Sequence, residues 1–123
     1  LGGGGGVDPD QVTIAMLGVK RCLVHAGISS EAFAAPAQSI HIQTRSIYEN
    51  IYAPISGLFD RHFAAGDHVE ATQLAGYVRQ IERLDDAPVP LHFVVNGYVL
   101  AHGNRGFVER GDMLALVACE CDK

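Results

Sequence analysis

The sequence is poor in lysine, in cysteine and in long apolar runs, and each shortage excludes a class of protein. Lys20 and Lys123 are the two lysines, and the net charge is −5, which argues against a nucleic-acid-binding surface. Three cysteines form no disulfide framework, so we expect reduced thiols in a cytoplasmic protein. No apolar stretch approaches the ~20 residues that cross a membrane, and no secretory signal is visible.

The chain has 123 residues, 48% of them hydrophobic, which suits one soluble globular domain with a buried core. It opens with Leu1 and five glycines rather than with methionine, and we therefore expect a fragment of a longer protein. Such a glycine run is either a flexible expression linker or a native loop between a strand and a helix. The helix signals that follow favour the native loop.

A helix is predicted over residues 9 to 26. Asp8 is a good N-cap, Pro9 suits the first helical position, and Gly27 is typical of the residue that follows the last turn. The expected apolar stripe consists of Val12, Met16, Val19, Leu23 and Ala26. Further apolar residues widen this stripe, so we expect neighbours on more than one side of the helix.

The remainder of the chain divides into a connecting segment, a β-domain and a tail. Residues 28 to 38 are predicted to be a linker, and the alternating segment Ser39–Ile47 is predicted to be a half-exposed strand. The β-domain is expected over residues 48 to 118. Residues 119 to 123 are expected to form the tail.

The β-domain contains one pattern twice, about forty residues apart. A strand, a turn and a second strand occupy Tyr52–Phe59 and again Val94–Leu100, where Asn96-Gly97 is a strong hairpin signal. Each copy is followed by a Gly-Asp turn and a further apolar strand. The residues expected to form these turns are Gly57, Gly66, Asp67, Gly97, Gly111 and Asp112. The repeat predicts two similar β-units packed about a pseudo-dyad.

We therefore predict a mainly β fold. Residues 48 to 118 should form a sandwich of short, mostly antiparallel strands, with the helix packed outside it. A helix longer than two turns between residues 50 and 118 would contradict this. The expected core residues are Val12, Met16, Val19, Leu23, Ile51, Ile55, Leu58, Val69, Leu74, Val78, Phe93, Val95, Val99, Leu114 and Leu116.

The repeated pattern resembles the biotinyl/lipoyl-type domain, a barrel-sandwich hybrid of two interlocking β-units. In carrier proteins of that type, a lysine in the hairpin between the two halves bears the cofactor. The intervening stretch here, Tyr77–His92, contains no lysine, and arginine is a poor nucleophile because it stays protonated. The resemblance implies the shape without the carrier chemistry.

The chain as a whole resembles the C-terminal part of the succinylglutamate desuccinylase/aspartoacylase family, in the branch of deacylases or N-acetyl-diaminobutyrate deacetylases. The glycine run before a helix, Tyr52–Phe59, Gly66–Ala71 and Arg110–Val117 carry this resemblance. Thr72 departs from it, because glycine is expected at that turn. The resemblance implies that residues 1 to 27 are the glycine loop and last helix of an upstream α/β zinc-carboxypeptidase-like domain.

Enzymes of that family are zinc-dependent amidohydrolases, in which zinc polarises the scissile carbonyl and a glutamate transfers protons. The resemblance implies zinc ligands from a His-x-x-Glu pair and a distant histidine. No histidine of this chain has a carboxylate three residues later, and the family's glutamate lies before the glycine run. We therefore expect no catalytic residue and no metal ligand here, with zinc and catalysis in the upstream domain.

Other polar residues receive structural interpretations, with one alternative left open. The six histidines are expected to be structural or solvated. Cys119-x-Cys121 offers too few ligands for a closed metal site, and one carboxylate in each Gly-Asp turn is too few for calcium. Arg45, Arg79 and Arg83 either contact an anionic substrate across a domain interface or are solvated.

Two functions from different classes follow. In the first, the chain is the C-terminal portion of a zinc-dependent deacylase of small N-acylated amino acids, and it shapes the substrate entrance or a homo-oligomer interface. In the second, it is a free-standing noncatalytic binding or assembly module of barrel-sandwich type. We favour the first, and the reading frame upstream of Leu1 discriminates between them.

Overall fold

The computed structural model describes residues 9–34 and 39–121, in two compact units, Leu1–Ser39 and Ile40–Lys123. The described part of the first unit contains helix α1, Pro9–His25. The helix prediction is therefore confirmed to within one residue, while its expected N-cap, Asp8, lies outside the described residues. No described helix has the length and apolar character to span a membrane.

Helix α1 ends in a Schellman motif at Gly27. This glycine has a φ of 72°. Its N–H donates to the carbonyl oxygen of Val24 at 3.0 Å, and the N–H of Ile28 donates to that of Leu23 at 3.0 Å. The glycine that was predicted to follow the last turn therefore satisfies two carbonyl groups that the helix leaves open.

The apolar stripe of α1 is exposed in this chain, and its predicted place in the core was wrong. None of the residues of α1 is buried. Within the first unit, the segment after the helix contributes polar contacts, an ion pair between Lys20 and Glu31 and a hydrogen bond from Arg21 to the carbonyl oxygen of Ala34. The four stripe residues that were predicted to lie in the core are 40 to 56% exposed, namely Val12, Met16, Val19 and Leu23. Packing of the helix against the β-domain stays a prediction.

The second unit is built from short strands. The strands are β1 Ile42–Gln43, β2 Ile51–Tyr52, β3 Gly57–Arg61, β4 His68–Val69, β5 Leu74–Arg79, β6 Val89–His92, β7 Gly97–His102, β8 Phe107–Val108 and β9 Met113–Glu120. They form two antiparallel sheets, one with the order β1–β9–β7–β4 and with β2 also paired to β9, the other with the order β6–β5–β3–β8. Two 3-10 helices accompany them, Ile47–Glu49 and Ile81–Arg83.

The mainly β fold is confirmed. Residues 50 to 118 are all described, and the helical structure among them is the three-residue turn Ile81–Arg83. That turn lies in the lysine-free connection between β5 and β6. The assignment as a barrel-sandwich hybrid stays a prediction.

Buried side chains from both sheets form one hydrophobic cluster. The predicted core residues that are buried are Ile51, Val69, Val78, Phe93, Val99 and Leu114. Ile55, Leu74, Val95 and Leu116 are half-buried. Leu58 was wrongly placed in the core, since it is 46% exposed and lies opposite Arg79 and Phe107 on the outer face of its sheet. Successive strand residues face opposite sides, so the inward positions of β3 belong to Gly57 and Phe59.

The two ends of the β-domain differ from their predicted bounds. The strand expected at Ser39–Ile47 is limited to β1, because the chain turns into the 3-10 helix, whose first turn is capped by the Ser46 hydroxyl at 3.2 Å from the N–H of Tyr48. Strand β9 runs to Glu120 and pairs with β1. Cys119 and Glu120 therefore lie in a strand rather than in a tail.

Asn96-Gly97 does not join two paired strands, so the hairpin prediction was wrong. The strands before and after it, β6 and β7, belong to different sheets. The turn Pro54–Gly57 makes the same crossing from β2 to β3. At both places the chain passes from one sheet to the other, which places consecutive strands on opposite sides of the core.

The predicted repeat extends to backbone hydrogen bonds. Ala53 donates its N–H to turn 109–112 and accepts one from it, at 2.9 and 2.8 Å. Phe93, forty residues later, makes the same two bonds with turn 70–73, at 2.9 and 2.7 Å. Each half of the β-domain thus holds a turn that belongs to the other half, as expected of two units related by a pseudo-dyad.

Candidate functional site

Gly57 and Gly97 begin β3 and β7, at equivalent points of the repeat, and both are buried. A Cβ atom on Gly57 would overlap the carbonyl oxygen of Arg79, and one on Gly97 would overlap that of Ala118. Both glycines therefore allow a neighbouring strand to approach closely. This close approach of the strands explains why both positions are glycine.

Gly66-Asp67 and Gly111-Asp112 form two turns with the same geometry. The glycines have φ values of 97° and 95°, in the left-handed region. In each turn the aspartate Oδ2 atom accepts the N–H three residues earlier, that of Ala64 at 2.8 Å and that of Glu109 at 2.9 Å. Both carboxylates thus hold their own turns together.

A third turn repeats this arrangement with different residues. The side-chain oxygen of Gln73 accepts the N–H of Glu70 at 2.9 Å, as the aspartates do in the other turns. The position of the left-handed glycine is taken by Thr72, with a φ of 71°. The family resemblance predicts glycine at this position, and the left-handed backbone conformation favours the same residue.

The described histidines belong to no metal site, because no three His, Cys, Asp or Glu side chains of the described residues come together. His62 pairs with Asp60 at 3.5 Å, between Nε2 and Oδ2. The rings of His68 and Tyr98 meet edge to face at 4.9 Å. The residues present do not fit the zinc that the family resemblance implies, and no reaction step is assigned to them.

Tyr98 and Glu120 form a polar contact across the first sheet. The Tyr98 hydroxyl donates to Glu120 Oε1 at 2.9 Å. This hydrogen bond raises the pKa of Tyr98 above its ordinary value, because ionisation would remove the donor and set a phenolate beside a carboxylate. The pair links β7 to β9.

Arg45 and Cys119 form a second cluster. Arg45 Nη2 lies 2.9 Å from Cys119 Sγ, and Arg45 Nε lies 3.5 Å from Glu49 Oε1. The hydrogen bond to Cys119, with the neighbouring charges, raises the pKa of Arg45 above its ordinary value. These contacts hold the segment before β2 against β9, so Arg45 is engaged in structure.

The other two arginines considered for an anionic substrate are both exposed. Arg83 lies 3.9 Å from Asp86, between Nη1 and Oδ2. Arg79 lies in β5 opposite Leu58 and has no acidic partner among the described residues. None of these three arginines lines either of the two surface grooves found among the described residues.

A groove lies between β3 and the loop 103–106, and we call it the loop groove. Its part between strand and loop has a volume of about 190 Å³, and it continues along β9 with about 250 Å³. The loop is held at both ends, because Gly103 N–H donates to Leu114 at 3.2 Å and Phe59 N–H donates to Gly106 at 2.9 Å. The narrower part is lined by Phe59, Arg61, Gly103, Asn104, Arg105 and Gly106.

Three polar residues of the loop groove were not predicted from the sequence, namely Arg61, Asn104 and Arg105. Arg61 is exposed at the end of β3, and its guanidinium carbon lies 5.8 Å from the centre of the Phe63 ring. A charged residue at an apolar position of the repeat was a usable signal. This charged residue stands out only when the two copies of the repeat are aligned residue by residue.

Comparison with known proteins identifies relatives over nearly the whole chain. The sequence is 28% identical over 119 residues to N-alpha-acetyl-L-2,4-diaminobutyric acid deacetylase of Halomonas elongata, covering 96% of this chain and 35% of the relative. No family model matches the sequence.

Two solved structures are similar to the chain over the same range of residues. A succinylglutamate desuccinylase/aspartoacylase from Rhodobacter sphaeroides has 27% identity and a TM-score of 0.74, over 97% of this chain and 38% of its own. The product-bound ectoine utilization protein EutE (DoeB) from Ruegeria pomeroyi has 25% identity and a TM-score of 0.72, over 97% and 36%. The chain thus spans little more than a third of the length of these relatives. The sequence and fold of the chain are therefore similar to those of the C-terminal part of proteins of the succinylglutamate desuccinylase/aspartoacylase family.

Proposed function

We propose that the chain is the C-terminal portion of a zinc-dependent hydrolase that deacylates small N-acylated amino acids. The observation that carries this proposal is the match to a deacetylase of an N-acetylated diamino acid, which extends over 96% of the chain. Because the chain spans about a third of that relative, we assign catalysis and zinc to the portion that the relatives have in addition. The present chain then shapes the substrate entrance or the oligomer interface.

Helix α1 supports the presence of a further domain. Six of its large apolar side chains are 37 to 63% exposed, which is costly for a helix that remains in water. We assign the helix, with the glycine loop before it, to the upstream domain. Its exposed stripe would then be buried between elements of that domain.

The β-domain supports a barrel-sandwich hybrid. Its two sheets share one hydrophobic cluster, and each half holds a turn of the other through paired backbone hydrogen bonds. The connection between the halves contains no lysine, so we assign it no carrier function.

Activity and zinc content test the proposal. The chain of residues 1–123 and the product of the complete reading frame are purified, dialysed and compared by elemental analysis and by assays on N-acetylated diaminobutyrate and other N-acetylated amino acids. We expect chelator-sensitive turnover and one bound zinc in the longer protein. Stoichiometric zinc and turnover in residues 1–123 would show that the chemistry was assigned to the wrong part.

A noncatalytic module is the second candidate, and the compact unit Ile40–Lys123 with its own core favours it. A start codon near Leu1, with no catalytic domain encoded before it, would support this alternative. A preceding domain with His-x-x-Glu, a later histidine and a glutamate beside the glycine run would support the enzyme.

A further inference from the structure

The repeat supplies an internal comparison for the loop groove. Phe59 donates its N–H to the last residue of the loop 103–106, and Val99 donates its N–H in the same way to the last residue of turn 64–67, both at 2.9 Å. The loop and the turn are therefore counterparts in the two halves. Differences between them are departures from the shared architecture.

The counterpart turn is closed, whereas the loop is open. Gly66 donates its N–H to Val99 at 2.8 Å, which fastens turn 64–67 to β7. The corresponding bond from Arg105 to Phe59 is absent among the hydrogen bonds of the described residues. The loop groove lies where this bond is missing.

The residue differences replace small side chains by basic and amide ones, and an aspartate by glycine. Asn104 and Arg105 stand where the counterpart turn has Ala65 and Gly66, and Gly106 stands where it has Asp67. Arg61 in β3 corresponds in the same way to Ala101 in β7. The loop groove therefore gains two guanidinium groups and loses one carboxylate relative to its counterpart.

Neither guanidinium of the loop groove is neutralised by the described residues. Arg61 and Arg105 form no ion pair among them, although the chain carries fourteen acidic residues. Asp112 lines the continuation along β9, but its Oδ2 atom already accepts the N–H of Glu109. The narrower part of the groove has no acidic lining residue.

We propose that the loop groove binds a small organic carboxylate between Arg61 and Arg105, with the Asn104 amide as a further donor. Guanidinium groups match the two oxygens of a carboxylate in geometry and remain charged at all physiological pH values. The volume of about 190 Å³ suits an acid of a few heavy atoms. This inference stands apart from the proposed enzyme activity and is tested without it.

The test is a titration of the 123-residue chain with sodium succinate, followed by two-dimensional NMR at constant ionic strength. Sodium chloride serves as the matched salt, and sodium phosphate as a second oxyanion. We expect saturable shifts of the amide signals of Asn104, Arg105 and Gly106, with a Kd on the order of millimolar for a solvent-exposed ion pair. Succinate should bind at least as tightly as phosphate.

Three variants locate the effect. Arg61→Gln and Arg105→Gln should each raise the Kd about fivefold. Gly106→Asp restores the carboxylate of the counterpart turn and should weaken binding to a similar extent. Arg79→Gln is the control, because it removes an exposed, unpaired arginine outside the groove, and it should change the Kd less than about twofold.

The inference is overturned if succinate gives no saturable shifts beyond those of chloride, or if phosphate alone saturates the groove. It is also overturned if Arg79→Gln weakens binding as much as the groove variants do. If Arg61→Gln does not fold, Arg105→Gln and Gly106→Asp, both in the exposed loop, decide the question.

Discussion

At Thr72 a β-branched side chain occupies a left-handed backbone conformation. Its φ of 71° is the one positive value among the described residues other than glycine. The two turns of the same geometry place Gly66 and Gly111 at this point. A β-branched residue clashes with its own backbone there, at a cost of about 1 to 3 kcal/mol. The fold tolerates this cost because hydrogen bonds on both sides of Thr72 hold the turn.

Thr72→Gly is expected to stabilise the β-domain. Relief of the backbone clash should exceed the entropy that glycine adds to the unfolded chain, for a net gain of about 1 kcal/mol in the free energy of unfolding. Urea denaturation followed by circular dichroism measures it, and Tm should rise by about 5 °C.

The matched control is Thr44→Gly, at an exposed position whose φ is not positive. It should lower the free energy of unfolding slightly, because glycine there adds flexibility without relieving strain. A loss of stability in Thr72→Gly equal to that of the control would show that Thr72 is unstrained.

At the scale of elements, the approach of β7 to β9 depends on the missing side chain of Gly97. A Cβ atom on this residue would overlap the carbonyl oxygen of Ala118 and crowd the side chain of Val117. The same relation holds between Gly57 and β5 in the other half. Close strand contacts are therefore part of the architecture shared by the two halves.

Gly97→Ala is expected to destabilise the β-domain by about 3 kcal/mol, because the added methyl group forces two core strands apart. Thermal and urea unfolding measure the loss. Gly106→Ala is the control, since its Cβ would meet no atom within 4 Å, and its effect should stay within about 0.5 kcal/mol. Equal stability of the two variants would contradict the steric argument.

At the scale of the whole molecule, all buried residues in the part of the chain that the structure describes lie in the second unit. The described core extends from Ile51 to Cys119, and α1 contributes no buried residue. The β-domain therefore contains the apolar burial that stabilises a fold, whereas a seventeen-residue helix with an exposed stripe is marginal by itself.

Residues 40–123 are accordingly expected to fold without residues 1–39. The shortened chain should show dispersed amide signals in NMR and a cooperative thermal transition, with a Tm within about 5 °C of that of the full chain. Residues 1–39 as a separate peptide should be mostly unstructured in water. A random-coil spectrum for residues 40–123 would show that the first unit contributes essential stability.

Features that depend on neighbouring residues could be predicted from the sequence alone. The helix over Pro9–His25, its end at Gly27 and the mainly β character follow from capping, periodicity and turn chemistry, which act over a few residues. The motifs Tyr52–Phe59 and Arg110–Val117 also indicated the family before any comparison of structures. Local signals were sufficient because each was repeated or reinforced nearby.

Strand pairing and the meeting of charged side chains depend on contacts that form when the chain folds. Asn96-Gly97 has the local chemistry of a hairpin, yet it crosses between sheets, because β7 pairs with β9 and β4 and not with the preceding strand β6. Arg61 and Arg105 are forty-four residues apart and line one groove because β3 holds the end of the loop 103–106. The stripe of α1 is likewise exposed in this chain. Amphipathic periodicity predicts an apolar stripe, but it does not identify the element that covers it.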